Sequence, residues 1–279
     1  MNENDVSPSA IARFHALHES GCFVLPNPWD AGSAVYLEHL GFQALATTSA
    51  GFAFSRGLPD SGVSRGMMLE HIGEVVEATP LPVNADFQTG YADEPEGVAT
   101  SVALCVAMGV AGLSIEDSSG DRAVPLYDFP LAVKRIKAAR ASIDASGIPV
   151  VLTARCEAWL VGHPDPAKVA IDRLVAFADA GADCLYAPGV SLPDEIGAIV
   201  KAVAPKPVNV LVSRFNSDLT VSQLEDLGVR RISVGSALAC AAWSGFIKAA
   251  KSIAQSGSFK ALADSAPGKE LNSLFQSRV

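Results

Sequence analysis

The residues of this chain best equipped for chemistry are acidic and sit where apolar runs stop. In VNADFQTGYAD (residues 83–93), Asp86 closes a short apolar run and Gly90 turns the chain away. Thirty residues on, GLSIEDSSG puts Glu116 and Asp117 at the end of a second run. A carboxylate at the end of a buried strand is costly unless a cation or donor meets it. Asp60, in the loop SRGLPDSG, adds a third acid. Asp60, Asp86 and Glu116 brought together would repel one another without a cation. An all-oxygen set suits Mg2+ or Mn2+ better than zinc. Arg155, in LTARCEA, is the natural clamp for a substrate carboxylate through two parallel hydrogen bonds, or else a structural partner of Glu116 or Glu157.

Those residues need a frame that brings distant strand ends together. The chain reads as strands CFVLPN, FQALATTS, PVNADF, AGLSIED, PVVLTARC, DCLYAPG, PVNVLVS and RRISVGS, each trailed by a helical stretch. Nearly continuous apolar strands fit a parallel sheet buried on both faces. Eight units in about 250 residues predict a single-domain α/β (β/α)8 TIM-type barrel. An open doubly wound sheet would call for GxGxxG after strand one, where this chain has NPWDAGSA. Ser7 is read as the cap of an N-terminal helix whose His15 and His18 face solvent. Residues from about 243 to 279 form a helical extension longer than a closing helix requires, with part of it expected to pack on a neighbouring subunit. In a barrel the strand C-termini share one face. That face gathers Thr48, Ser49, Ala50 and Gly51 from strand two, Asp86 and Gln88 from strand three, Glu116 from strand four, Arg155 from strand five and Asn209 from strand seven. The VGSA turn after strand eight reads either as a phosphate cradle or as a closely packed helix start.

Composition narrows the function classes. Of 279 residues, 49% are hydrophobic, enough for a large core, and the net charge of −9 argues against a nucleic-acid surface. The five cysteines are odd in number and widely spaced, and none has zinc-ligand spacing, so they read as reduced thiols of a cytoplasmic protein. MNENDVSPSA lacks the character of a signal peptide, and no apolar run is long enough to span a bilayer. No lysine falls within a strand, which disfavours a Schiff-base aldolase.

The co-linear motifs PNPWDAGSA, VNADFQTGYA, GLSIEDSSGD, LTARCEA and LGVRRISVGSALA resemble the isocitrate lyase/phosphoenolpyruvate mutase superfamily, over about Phe14 to Ala249 and closest to its short, mutase-like branch. The resemblance implies a barrel whose last helix is swapped within a homo-oligomer, a tetramer or dimer. It implies Mg2+ carrying an α-oxo or 2-hydroxy carboxylate, with Asp86 as direct ligand and Asp60 and Glu116 holding waters of the ion. Arg155 would bind the substrate carboxylate, with Asn209 as a further contact, and amides of Thr48–Gly51 would cup its oxygens. Catalysis would fall to Arg155, Asp60 and Glu116, stabilising a pyruvyl enolate while a C–C or C–P bond breaks or forms.

Two departures qualify that expectation. Gln88 stands where the family carries a second acid, so one ligand brings no charge. The loop SSGDRAVPLYD lacks the Lys-Lys-Cys-Gly-His-like run of isocitrate and methylisocitrate lyases, which disfavours both activities; Arg122 is the residue that could stand in for the basic gate of the phosphonate mutases. Ser118–Arg122 reads as a mobile lid or a plain surface turn. The leading expectation is a Mg2+-dependent C–C lyase of a small anionic carboxylate. The alternatives are phosphonopyruvate-type C–P chemistry and a catalytically silent oxo-acid binder.

Overall fold

The computed structural model describes residues 9–214, 216 and 218–276. Eight strands alternate with helices as β1 (Phe23–Leu25), β2 (Leu45–Ala46), β3 (Val83–Asp86), β4 (Gly112–Glu116), β5 (Val151–Arg155), β6 (Cys184–Tyr186), β7 (Val208–Leu211) and β8 (Arg231–Ser233). The helices are α1 (Ala10–Glu19), α2 (Ala31–His39), α3 (Ser49–Ser55), α4 (Arg65–Glu77), α5 (Pro95–Ala107), α6 (Phe129–Ser146), α7 (Pro166–Asp179), α8 (Pro193–Val203), α9 (Val221–Asp226), α10 (Ala237–Ser256) and α11 (Gly268–Gln276). All pairings are parallel, in the order β1-β8-β7-β6-β5-β4-β3-β2. The Ala46 amide donates to the Pro26 carbonyl at 3.0 Å and brings β2 back to β1, so the sheet nearly closes. This is the expected (β/α)8 barrel.

Strand two is shorter than FQALATTS suggested. β-structure ends at Ala46, and Thr48 caps a helix by accepting the Gly51 amide at 3.2 Å. A threonine two residues beyond a strand serves equally as strand residue and as N-cap, so periodicity could not separate the two. The first helix is capped by Ser9; Ser7 lies outside the described residues. Among the described residues no helix is long and apolar enough to cross a membrane. All five cysteines are unpaired.

α1 closes one end of the barrel. Phe14 is fully buried and packs with Phe23, Leu25, Ala46, Ala111 and Val151. A Cβ on Gly112 would lie 2.6 Å from the Phe14 ring, so the plug fits only because β4 starts with glycine. Both histidines of α1 bond backbone carbonyls; His15 stays partly exposed, as expected, whereas His18 is largely withdrawn from water. His15 Nε2 bonds the Pro149 carbonyl at 2.7 Å, and His18 Nδ1 bonds the Phe14 carbonyl at 2.7 Å. His18 Nε2 lies 3.4 Å from Nη1 of Arg231, which reaches down from β8.

Burial, and then the Arg231 guanidinium, push the His18 imidazole down to about 3; burial pushes that of His71, on α4, down to about 4. Between those values and the ordinary 6.5, the unfolded chain binds protons that the folded chain does not, so stability falls as pH drops from about 6.5. Each histidine contributes a slope of up to about 1.4 kcal/mol per pH unit. Urea midpoints at pH 7, 6 and 5 will show that slope, and His18→Gln will flatten it by its share; equal slopes in parent and variant would refute the buried neutral imidazole.

Candidate active site at the strand ends

The barrel mouth is built around one guanidinium. Arg155, the last residue of β5, directs Nε and Nη2 at the two carboxylate oxygens of Glu157, with Nη2 to Oε2 at 3.2 Å. Its Nη1 lies 3.3 Å from Asp86 Oδ1 and 3.3 Å from Glu116 Oε2. Tyr186, from the neighbouring β6, carries the guanidinium 5.2 Å from its ring centroid. The two-bond fork expected for a substrate carboxylate is therefore turned on Glu157, and Nη1 alone faces the acids on β3 and β4.

Asp86 is fixed from two sides. Its amide donates to Thr47 Oγ1 and its Oδ2 accepts the Ser49 amide, each at 2.9 Å. Asp60 arrives on a 3-10 turn (Asp60–Gly62). Gln88 Nε2 donates to the Asp60 carbonyl and carboxylate at 3.3 and 3.4 Å, tethering that turn to β3. The structure thus brings Asp60, Asp86, Gln88 and Glu116 to one mouth with Arg155. Four carboxyl groups there, with Glu157, face one guanidinium. Burial raises Glu116 to about 8 against the pull of Arg155, and burial with Asp86 nearby raises Asp60. Among the described residues no three His, Cys, Asp or Glu side chains form a ready-made metal cage.

Other expected contacts are placed differently. The Ser49 and Gly51 amides are taken by Asp86 and by Thr48, so two of the donors expected to cup substrate oxygens are engaged. Gly51 is required by packing, since a Cβ there would lie 2.6 Å from Thr48 Cγ2 and 3.2 Å from the Cβ atoms of Trp29 and Ala239. Ala50 sits in the first turn of α3. Asn209 points into the barrel, donating to Ser233 Oγ and accepting from Arg231 Nε, each at 2.9 Å. It lines a small interior cavity of about 50 Å3 with Asp86, Arg155 and Arg231. The VGSA turn is no free cradle, because the Val234 and Gly235 amides donate to Asn27 Oδ1 at 2.9 and 2.8 Å.

Sequence reasoning passed over the residues that hold Arg155 in place. Asp117 Oδ1 accepts the Glu157 amide at 2.8 Å, and its Oδ2 accepts from Arg173 on α7 at 3.0 Å. Strand alternation was the available signal: with Glu116 facing the barrel interior, Asp117 must face the helices. Tyr91 was also undervalued. Among the described residues it is, with Gln88, one of two non-glycine residues at positive φ (56° and 48°), and its buried hydroxyl has no partner there.

The two kinds of acid separate by stability. Asp117→Asn leaves Arg173 buried without counter-charge and should destabilise by about 3 kcal/mol or more. Glu116→Gln removes one of several carboxyl groups crowding a single guanidinium and should cost less than about 1 kcal/mol. Urea denaturation with a chelator present compares them; equal losses would contradict this division between structural and site acids.

With this geometry in hand, comparison with known proteins is informative. The phosphoenolpyruvate phosphomutase family model matches residues 14–254. A lyase/mutase candidate from Burkholderia cenocepacia J2315 superposes with a TM-score of 0.92 at 46% identity, covering 95% of each chain. Oxaloacetate acetylhydrolase in complex with its product oxalate superposes at 0.85 with 27% identity, covering 97% of this chain and 96% of its own. The 2-methylisocitrate lyase of Salmonella typhimurium is 31% identical over 168 residues, 58% of this chain and 56% of that protein. The chain belongs to the phosphoenolpyruvate phosphomutase family, within the isocitrate lyase/PEP mutase superfamily of lyases and mutases.

Proposed function

We propose that this protein is a Mg2+-dependent enzyme that breaks or forms a C–C bond of a small α-oxo or 2-hydroxy carboxylate through a pyruvyl enolate. The observation that carries the reading is the charge imbalance at the mouth, where Asp60, Asp86, Glu116 and Glu157 share Arg155. The donors suit Mg2+: all are oxygen, and Asp60 and Glu116 are raised by burial for want of a compensating cation. The absence of a tight three-ligand cage among the described residues fits an ion that keeps several waters and takes one or two carboxylates. Asp86 would hold it, with Asp60, Glu116 and Gln88 orienting its waters; Mn2+ would fit the same set. When bound, the ion supplies a Lewis acid that stabilises enolate charge.

The chain's own residues do the rest. Arg155 Nη1 receives the substrate carboxylate and opposes negative charge that grows as the bond breaks, which is where catalytic stabilisation is gained. Glu157 fixes the plane of that guanidinium and Tyr186 backs it. Gln88 keeps Asp60 facing the site. The loop from Ser118 to Asp128 lacks Cys, Lys and His, so we also propose that isocitrate and 2-methylisocitrate are poor substrates. The exposed Trp243, Phe246 and Ile247 of α10 support assembly with further copies of the chain.

Asp86→Ala should abolish Mg2+-dependent turnover of the active oxo or hydroxy acid by at least a hundredfold while leaving the fold intact by circular dichroism. Full activity in that variant would end the assignment, and rapid cleavage of 2-methylisocitrate by the parent would end the exclusion. Two other readings have support of their own. The family match favours C–P chemistry, which phosphate release from phosphonopyruvate would reveal. The uncharged Gln88 and the loop from Ser118 to Asp128 without Cys, Lys or His favour a silent oxo-acid binder, which would bind oxalate with Mg2+ and turn nothing over.

A further inference from the structure

Beside the acidic mouth opens a second, larger chamber of about 590 Å3. Asp60 and Glu116 form its boundary with the mouth, and Asp93, Gln88, Tyr91 and Tyr127 contribute to the remaining wall. It is wide enough for the part of a substrate that extends past a pyruvate-sized head. Among the described residues no lysine, arginine or histidine lines it.

Two of the nearby arginines are engaged elsewhere, and a third lines a different cleft. Arg155 is held by Glu157, Asp86 and Glu116. Arg135, buried on α6, lies behind the chamber wall and donates to the carbonyls of Thr89, Ala92 and Asp93. Arg122 lines a separate cleft of about 270 Å3 on the far side of Ser118 and Gly120. A carboxylate or phosphonate entering the chamber would lose water beside Asp93 with no lysine, arginine or histidine in the wall to meet it.

Tyr91, on that wall, carries a donor that is not in use. Tyr91 Oη is buried with no hydrogen-bond partner. An unmet buried hydroxyl is costly, and a ligand oxygen that meets it recovers that cost. A phenol keeps its proton at neutral pH, so this one can donate. The loop presenting it holds two non-glycine residues in the left-handed region, an arrangement that persists only when its surroundings enforce it. Arg135 enforces it, through three carbonyls of that loop.

Resting on the proposed function, we infer that the chamber selects a 2-oxo acid whose distal part is uncharged and bears a hydroxyl or carbonyl oxygen, which Tyr91 Oη meets. A distal carboxylate or phosphonate is disfavoured.

Calorimetry on the full chain with Mg2+ tests this, using pyruvate, 4-hydroxy-2-oxobutyrate and 2-oxoglutarate as probes. The hydroxy acid should bind at least tenfold tighter than either of the others. Tyr91→Phe should reduce its advantage over pyruvate to threefold or less. Ser61→Lys, at an exposed position on the chamber rim, should shift the preference toward 2-oxoglutarate. Tighter binding of 2-oxoglutarate by the parent, with pyruvate still bound, overturns this inference alone; loss of that preference in Arg122→Ala would identify the loop arginine as the missing cation. A hydroxy-acid advantage unchanged in Tyr91→Phe removes Tyr91 from the role. Failure of all three probes to bind overturns the proposed function and this inference with it.

Discussion

One guanidinium shared among too many carboxyl groups is the constraint from which the rest of the site follows. Arg155 could have been neutralised by Glu157 alone, with the fork between them complete. Asp86 and Glu116 are then in excess, held 3.3 Å from the one remaining nitrogen by strands that cannot move apart. Behind them the charge balance is different. Asp117 and Arg173 form a one-to-one pair, and Asp117 also receives the Glu157 amide. A buried pair with its remaining donors met is a stable unit, whereas a surplus of buried carboxylate is not. Charge therefore runs from a satisfied layer against α7 to an unsatisfied one at the mouth. A cation or substrate is needed only at the second.

A similar division governs the loop after β3. Gln88 and Tyr91 adopt φ values that non-glycine residues avoid, each at a cost on the order of 1 kcal/mol or more. Nothing in the local sequence favours that shape, and Gly90 relieves only the position between them. Compensation comes from α6, where Arg135 binds three carbonyls of the loop and stacks 4.0 Å from the Tyr127 ring centroid. The result is a rigid turn that aims Gln88 at Asp60 and seats Tyr91 in the chamber wall.

How much of this was legible follows from which forces operate locally. The barrel was, because eight apolar runs separated by helical periods admit few other architectures. The meeting of Asp86, Glu116 and Arg155 at one mouth was, because charged residues that end the strands of a barrel share one face. The orientation of Arg155 was not: Glu157, Asp86 and Glu116 all lie within reach of one flexible side chain, and only packing decides which oxygens take the fork. His18 was misjudged because its partner, Arg231, lies 213 residues away in the chain. Asn209 shows the same limit, since its amide is consumed by Arg231 and Ser233 from a neighbouring strand.

The two halves of the site also rest on different parts of the fold. Asp86, Glu116 and Arg155 end strands whose registers are locked by adjacent ladders, with Glu116 opposite Arg155. Asp60, Gln88, Tyr91 and Ser119 stand on turns and loops, where insertion and substitution disturb no ladder. A strand-borne group can keep one electrostatic task through extensive change elsewhere. A chamber made of loops can be reshaped without touching that task. Oxalate, the product bound in the oxaloacetate acetylhydrolase complex, is little larger than the oxo-acid head that such a strand-borne site would hold. Here the chamber that those loops line is acidic and hydroxyl-bearing, with no lysine, arginine or histidine in its wall among the described residues.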